Sequence, residues 1–172
     1  VINGDDFYGL KSFEVIADYY RNGGKTFSMV AFQLDNTLSE FGGVSRGLCV
    51  VKNQFLDNVT EIENIKNEKS GISSDSKYTL KGTELVSMNM WGFTPDLFHY
   101  LRMLFIDFLS SKGKETKSEY LIPTVINHLI NNNLEKVKVL NSSESWFGVT
   151  YQEDKRIVKK KIQKLIADGV YP

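Results

Sequence analysis

The stretch Val1–Gly9, with the sequence VINGDDFYG, places two adjacent carboxylates between a short apolar run and a helical pattern. Its first two residues predict the end of a buried strand, the next two a turn, and the residues after Gly9 a helix. Because ligands of open α/β sheets bind at the carboxyl ends of strands, Asp5 and Asp6 are predicted to lie at a ligand site. Two carboxylates suit an oxygen-preferring cation such as Mg²⁺, and through it a phosphate. The alternative is a helix-capping turn, with one aspartate accepting backbone N–H groups and the other in solvent.

The composition predicts one domain, residues 1–172, in the cytoplasm. A chain of 172 residues that is 41% hydrophobic can bury one core but not two. Lysine plus arginine and aspartate plus glutamate balance at 21 each, so no global charge favours nucleic acid or an anionic membrane as a partner. Cys49 is the single cysteine and lies in an apolar strand pattern, which indicates a buried structural thiol in a reducing compartment. No apolar run approaches the ~20 residues that span a bilayer.

The elements predicted along the chain alternate between helices and strands, which indicates an α/β protein. Residues 10–20 predict a helix that ends at a glycine pair, and residues 26–34 a strand buried on both faces. Two β-branched runs around Lys52-Asn53-Gln54 predict an antiparallel hairpin. Strands at 85–93 and 137–140, a short strand at Ile72, and helices at 95–111, 119–131 and 152–167 complete the pattern.

Two polar features of this pattern have a functional and a structural interpretation. The loop 36–43 contains glycines, which let a backbone approach a ligand, but it is equally typical of a mobile connection. Asn89 lies in an apolar strand, where its amide either contacts a ligand or joins an internal network. His99 and His128 have no partner at metal-ligand spacing, so neither is assigned a role. The lysines of the last helix are interpreted as a solvated face.

Taken in order, several motifs resemble the sugar-phosphate nucleotidyltransferase family, enzymes that make nucleotide sugars from an NTP and a sugar 1-phosphate. The resemblance covers essentially the whole chain, but only the later half to two thirds of a typical member. Because the chain starts without Met and inside a predicted strand, we expect it to be the C-terminal portion of such a domain. The motifs that carry the resemblance are NGDDFYG at 3–9, NTLSE at 36–40, Gly43-Val44, VTE at 59–61, SMNMWGF at 87–93 and WFGVT at 146–150.

The resemblance implies a fold and a set of site residues. The fold is a partial three-layer αβα sandwich, Rossmann-like, with a mixed, largely parallel central sheet plus a β-hairpin insertion. Asp5 resembles the aspartate that holds Mg²⁺ between the nucleotide and the sugar phosphate, and Asp6 lies beside it as the second catalytic residue. Gly43 resembles a glycine whose backbone lies against the sugar, Glu61 a carboxylate that binds sugar hydroxyls, and Asn89 a polar residue on the strand below the sugar. The implied reaction is attack of the sugar phosphate oxygen on the α-phosphorus of the NTP, with release of pyrophosphate.

Three departures from the family pattern limit what this chain is expected to do. Gly148 stands near the position of a second metal-binding aspartate, and Ile62 replaces a lysine that often follows the sugar-binding glutamate. The glycine-rich basic loop that wraps the nucleotide phosphates in the family does not occur in these 172 residues. We therefore expect the NTP and the sugar 1-phosphate to react only in the full-length protein and this polypeptide alone to be inactive. Exposed sheet edges of a partial domain suggest a homo-oligomer.

Two other functions are compatible with parts of the sequence. A non-catalytic domain of nucleotidyltransferase-like fold that binds a sugar or sugar phosphate, or that mediates assembly, would explain Gly148. An aspartate-nucleophile phosphatase is disfavoured, because Asp5 and Asp6 are adjacent instead of being spaced by one residue and no threonine completes such a motif.

Overall fold

The structure, a computed structural model, describes residues 1–149 and 151–171. These residues form α-helices, β-strands and one 3₁₀ helix, at Leu34–Thr37. The helices are α1 (Leu10–Arg21), α2 (Asp96–Lys112), α3 (Ile122–Asn131) and α4 (Asp154–Ala167). The strands are β1 (Phe27–Gln33), β2 (Val44–Lys52), β3 (Phe55–Glu68), β4 (Gly71–Ser73), β5 (Leu85–Gly92) and β6 (Val137–Asn141).

The strands β2, β5, β1, β6 and β3 form a closed ring, because β3 pairs with both β6 and β2. At the closure Phe55 lies opposite Lys138, and the amide of Val139 donates to the carbonyl oxygen of Gln54 at 2.9 Å. Of the pairs in the ring, β1 and β6 are parallel and the others are antiparallel. The short strand β4 continues the sheet at the far end of β3.

The prediction of a three-layer αβα sandwich with a largely parallel sheet is therefore wrong. It treated each helix between strands as a parallel crossover, as in Rossmann-like folds. Instead, β5 is antiparallel to both of its neighbours, β1 and β2. The 14-residue β3 reaches from β6 along the length of β2 and closes the sheet on itself. Register shifts in the β1–β5 and β2–β3 pairs mark bulges, which increase the twist that a closed sheet needs.

The local predictions hold better than the topology. The predicted central strand β1 is buried on both faces, with Val30 and Phe32 in one apolar cluster and Phe27, Met29 and Ala31 in a second. The predicted hairpin, the strands at β5 and β6 and the short strand at Ile72 are confirmed. The hairpin is part of the ring and not an insertion into it. Its two turn residues, Asn53 and Gln54, have φ values of 50° and 67°, as a type I′ turn requires.

One prediction about burial is wrong. Val1, predicted to end a buried strand, is 61% exposed, although its amine and carbonyl oxygen exchange hydrogen bonds with the backbone of Trp91. Helix α2 packs one side on the second apolar cluster, with Leu97 buried and Leu101 partly buried there, whereas Phe98 is 75% exposed. Among the described helices, none is both long enough and apolar enough to cross a membrane.

Candidate functional site

A cavity of about 380 Å³ lies where one end of the sheet meets the Asp5–Asp6 turn and the start of α3. Four of the five predicted site residues line it, although they come from three separate parts of the chain. These are Asp5, Asp6, Glu61 and Asn89. Half of the remaining lining residues are polar, with further amide, hydroxyl and carboxylate groups from Asn3, Ser45, Ser87, Glu119, Thr124 and Asn127.

The fifth predicted residue, Gly43, lies outside this cavity. Its carbonyl oxygen accepts a hydrogen bond of 2.6 Å from the hydroxyl of Tyr151. A side chain at Gly43 would meet the Oδ1 atom of Asn64 at 2.2 Å, so the tight packing there excludes any larger residue. The structure thus gives Gly43 a packing role, and the expectation that it contacts a sugar stays a prediction.

Hydrogen bonds within the turn hold the carboxylate of Asp6 in place. Its Oδ2 atom accepts hydrogen bonds from Nδ2 of Asn3 at 2.9 Å and from the hydroxyl of Tyr8 at 3.1 Å. The buried Tyr8 hydroxyl also lies 2.8 Å from the carbonyl oxygen of Met88, which ties the turn to β5. Burial raises the pKa of Tyr8, which keeps its hydroxyl protonated as a donor. The turn therefore presents a fixed carboxylate to the cavity.

The capping interpretation of this turn is not what the structure shows. Gly9 is the N-cap residue of α1, and the first-turn N–H of Lys11 donates to Oε1 of Glu144 at 3.4 Å, not to either aspartate. The turn is held instead from across the chain, since the backbones of Phe7 and Phe147 exchange hydrogen bonds of 2.9 and 3.2 Å. Their rings stack with centroids 4.3 Å apart. Neither Asp5 nor Asp6 therefore caps α1, and Asp6 lies beside Gly148.

The donor set at this turn fits Mg²⁺ that is shared with a substrate. No group of three or more histidine, cysteine or acidic side chains within residues 1–149 and 151–171 is placed to hold a metal by itself. Mg²⁺ usually binds through one or two carboxylates and completes its shell with water and substrate phosphates. Asp5 and Asp6 offer carboxylates of that kind at the cavity edge.

Gly148 leaves space for the Asp6 carboxylate. A Cβ atom at Gly148 would lie 2.7 Å from Oδ1 of Asp6, so a side chain there would displace the carboxylate. The sequence has Gly148 where the resembling family has a second metal-binding aspartate, and this glycine lies in close contact with the Asp6 carboxylate. The last residue of that motif, Thr150, lies outside the described residues.

The opposite wall of the cavity is built around Gly47 in β2. Gly47 pairs with Glu61 of β3 on one side and with Ser87 of β5 on the other. A Cβ atom at Gly47 would lie 2.9 Å from Val59 Cγ2, so the sheet has a notch there that only glycine fits. Paired residues project on the same face of a sheet, so the carboxylate of Glu61 and the hydroxyl of Ser87 flank this notch.

Asn89 lies on the same wall in an unusual backbone conformation. Its φ of 59° is in the left-handed region, which costs a residue other than glycine of order 1 kcal/mol. The Asn89 amide N–H donates to Oγ of Ser87 at 3.2 Å, and its side-chain oxygen accepts from Nε1 of Trp91 at 3.4 Å. The predicted internal network thus exists, and the half-buried amide also reaches the cavity.

Asn127 and Arg46 are among the residues of the site that were not predicted from the sequence. Asn127 of α3 exchanges hydrogen bonds of 2.9 and 2.6 Å with the backbone N–H and carbonyl of Val59, which fixes the helix to β3. Arg46 of β2 lines the cavity although it is only 7% exposed. The signal that could have found Arg46 is its position between Val44 and Leu48, at an inward-facing place in the strand alternation.

Backbone carbonyls and one indole ring hold the Arg46 guanidinium. Nε and Nη2 donate to the carbonyl oxygen of Thr37, and Nη1 donates to that of Ser45 at 2.8 Å. The guanidinium carbon lies 4.6 Å from the ring centroid of Trp146. Burial lowers the pKa of Arg46 to about 10, and the charge of Asp6 opposes this shift. Ile62, where the resemblance suggested a lysine, is the buried cross-strand partner of Arg46.

No protein-family model matches the chain, and no curated protein sequence matches it. The residues of the cavity are therefore the basis for proposing a function.

Proposed function

We propose that this chain forms the metal-binding and sugar-phosphate-binding part of a sugar-phosphate nucleotidyltransferase. One observation carries the proposal. Asp5, Asp6, Glu61 and Asn89, which the sequence resemblance assigned to one site, line one polar cavity in a fold that differs from the one the resemblance implied. A cytoplasmic location, where NTPs and Mg²⁺ are available, is part of this proposal.

The cavity offers one group of side chains for a sugar and another for a charged group. Glu61, Ser87 and Asn89 supply an acceptor, a hydroxyl and an amide within one wall, as hydrogen bonding to a polyol requires. Asp5 and Asp6 lie at another part of the lining, where they would hold Mg²⁺. When bound, Mg²⁺ would neutralise phosphate charge and align the reacting oxygens. The protein's own part is to orient the sugar and to fix its phosphate next to that ion.

Mg²⁺-dependent binding of a sugar phosphate tests the proposal. Titration of the 172-residue polypeptide with glucose, galactose or mannose 1-phosphate, followed by NMR, is expected to show binding that needs Mg²⁺. Asp5→Asn is expected to remove the Mg²⁺ dependence, and Glu61→Gln to weaken binding about tenfold, the loss of one charge-assisted hydrogen bond. Asp107→Asn and Glu14→Gln, exposed carboxylates outside the cavity, serve as matched controls. Equal binding by Asp5→Asn and wild type would contradict the proposal.

Gly148 favours a second candidate, a domain that binds a sugar phosphate without catalysing transfer. A single pair of adjacent aspartates gives one side of a metal clamp, and Gly148 supplies no second carboxylate opposite it. A pyrophosphate-release assay on the full-length protein with NTP and sugar 1-phosphate separates the two candidates. Binding without release of pyrophosphate supports the second. For the polypeptide alone, either candidate predicts no release.

A further inference from the structure

Arg46 carries a buried charge that the protein does not neutralise directly. The side chain is 7% exposed, and no carboxylate forms an ion pair with it among the described residues. Burying a cation without a paired anion costs several kcal/mol, and proteins rarely keep such a charge without a use for it. The low pKa of Arg46, about 10, has the same cause.

The guanidinium is rigid and still has donors to offer. Its three hydrogen bonds within the protein go to the carbonyl oxygens of Thr37 and Ser45, and they use three of its five N–H groups. The remaining two N–H groups, one on each terminal nitrogen, have no acceptor within the described part of the chain. The ring of Trp146 covers one face of the plane, which fixes its orientation. A planar cation held in this way is prepared to bind an anion with two oxygens, such as a phosphate, at little cost in side-chain entropy.

The charges around the cavity place that anion at Arg46. Four carboxylates line the cavity, from Asp5, Asp6, Glu61 and Glu119, whereas Arg46 is the single cationic side chain among the described lining residues. A phosphate is repelled from most of this lining, and only Arg46 and a cation at Asp5 and Asp6 attract it. Gly148 links the two groups, because a Cβ atom there would lie 2.7 Å from Oδ1 of Asp6 and 2.9 Å from the Trp146 ring that the guanidinium covers, so both attractions act on the same part of the cavity.

We propose that Arg46 binds the phosphate group of a sugar 1-phosphate and thereby selects phosphorylated sugars over free sugars. This inference depends on the proposed function for the identity of the ligand. The phosphate is assigned to the sugar and not to a nucleotide, because the polyol-binding groups Glu61, Ser87 and Asn89 line the same cavity of about 380 Å³. Arg46 is thus a specificity residue for the substrate phosphate.

Binding of three probes by Arg46 variants tests this role. Wild-type protein with Mg²⁺ is titrated with glucose 1-phosphate, glucose and inorganic phosphate, and the same is done with Arg46→Met and Arg46→Lys. Methionine keeps a long apolar side chain against Trp146 without charge, and lysine keeps the charge without the planar fork. Arg102→Met, which removes an exposed arginine of α2 outside the cavity, is the matched control.

The expected result is a change in the ratio of the affinity for glucose 1-phosphate to the affinity for glucose. Arg46→Met should bind glucose 1-phosphate about ten to a hundred times more weakly than wild type, the loss of charge-assisted hydrogen bonds, while its affinity for glucose is unchanged. The affinity of Arg46→Lys for glucose 1-phosphate should lie between those of wild type and Arg46→Met, and that of Arg102→Met should match wild type. A purely structural role would lower both affinities together. If Arg46→Met does not fold, Arg46→Lys carries the same comparison.

The outcomes distinguish this inference from the function it depends on. Mg²⁺-dependent binding of glucose 1-phosphate that the Arg46 variants leave unchanged overturns the role of Arg46 and leaves the proposed function intact. Wild-type protein that binds inorganic phosphate through Arg46, but no glucose 1-phosphate, overturns the assignment of the phosphate and the proposed function together. A proportional loss of glucose and glucose 1-phosphate binding assigns Arg46 to the structure of the cavity and overturns the inference.

Discussion

Replacing Asn127 by alanine tests the joint between α3 and the sheet, on which one wall of the cavity depends. The variant removes two hydrogen bonds, from Nδ2 to the carbonyl oxygen of Val59 at 2.6 Å and from the Val59 N–H to Oδ1 at 2.9 Å. Each such bond contributes about 1 kcal/mol net, and a buried backbone group left without a partner costs about 1–3 kcal/mol. Since the Val59 side chain is buried, we expect the free energy of unfolding to fall by about 2–4 kcal/mol.

Thermal and urea denaturation measure this loss. For a domain of this size, 1 kcal/mol corresponds to about 2–4 °C in Tm, so the midpoint should fall by about 5–15 °C. Asn127→Asp keeps the acceptor for the Val59 N–H but sets a carboxylate oxygen against the Val59 carbonyl oxygen, so it should lose at least as much stability as Asn127→Ala. Asn132→Ala is the control at the C-cap of the same helix, because the Nδ2 of Asn132 makes an exposed, local hydrogen bond of 2.8 Å to the carbonyl oxygen of His128. We expect that control to stay within about 0.5 kcal/mol of wild type.

Two results would refute this reasoning. If Asn127→Ala melts within 2 °C of wild type, the paired hydrogen bonds do not hold α3 to β3 in solution. If Asn132→Ala loses as much stability as Asn127→Ala, the cost belongs to α3 itself and not to its contact with the sheet. Sugar phosphate binding should weaken in Asn127→Ala even below the midpoint, because α3 carries Thr124 into the cavity wall.

Two further predictions concern the closure of the ring and the half-buried thiol of Cys49. The amide of Val139, which donates to Gln54 at 2.9 Å, should exchange with deuterium as slowly as amides in the middle of the sheet, and rapid exchange would mean that the ring is open. Burial raises the pKa of Cys49 from 9.0 to about 12, so the native thiol should react with a thiol reagent at pH 8 about a hundred to a thousand times more slowly than in the unfolded chain. The thiol of the unfolded chain ionises at a lower pH than the native thiol. The contribution of Cys49 to the free energy of unfolding should therefore decline between about pH 9 and 12, and a Cys49→Ala variant should lack that part of the decline.

The sequence predicted the local elements of this protein well because local patterns determine them. The unbroken apolar run of β1 requires cover on both faces, and two apolar clusters supply it. The turn at Asn53 needs positive φ, which asparagine tolerates, and its two flanking strands could only form a hairpin. Alternating helices and strands carry no information about which strands pair, however. The closure by β3 depends on contacts between Phe55 and Lys138, which are 83 residues apart, and no local pattern encodes it.

As with the fold, site residues were recognised where the nearby sequence marks them and missed where a distant contact defines them. Asp5 and Asp6 were selected as candidates because they are adjacent carboxylates in a turn. The resemblance added Glu61 and Asn89, which line the same cavity. Their roles remain predictions. Asn127 was missed because its partner is 68 residues away, and nothing near it in the sequence distinguishes it from any helical asparagine.

The antiparallel pairing of β2 with both of its neighbours brings two of the cavity residues together. Gly47 lies between Glu61 of β3 and Ser87 of β5, and a Cβ atom there would lie 2.9 Å from Val59 Cγ2, so the neighbouring strands pack closely over it. In an open parallel sheet, ligand-binding side chains meet at the carboxyl ends of the strands, whereas here Glu61 and Ser87 lie within paired antiparallel strands. The prediction that Asp5 follows a strand of an open α/β sheet is therefore wrong, because residues 1–6 form no strand and the sheet is closed. Asp5 nevertheless lies by this cavity, because the bonds from Tyr8 to β5 and from Phe7 to Phe147 bring the turn there.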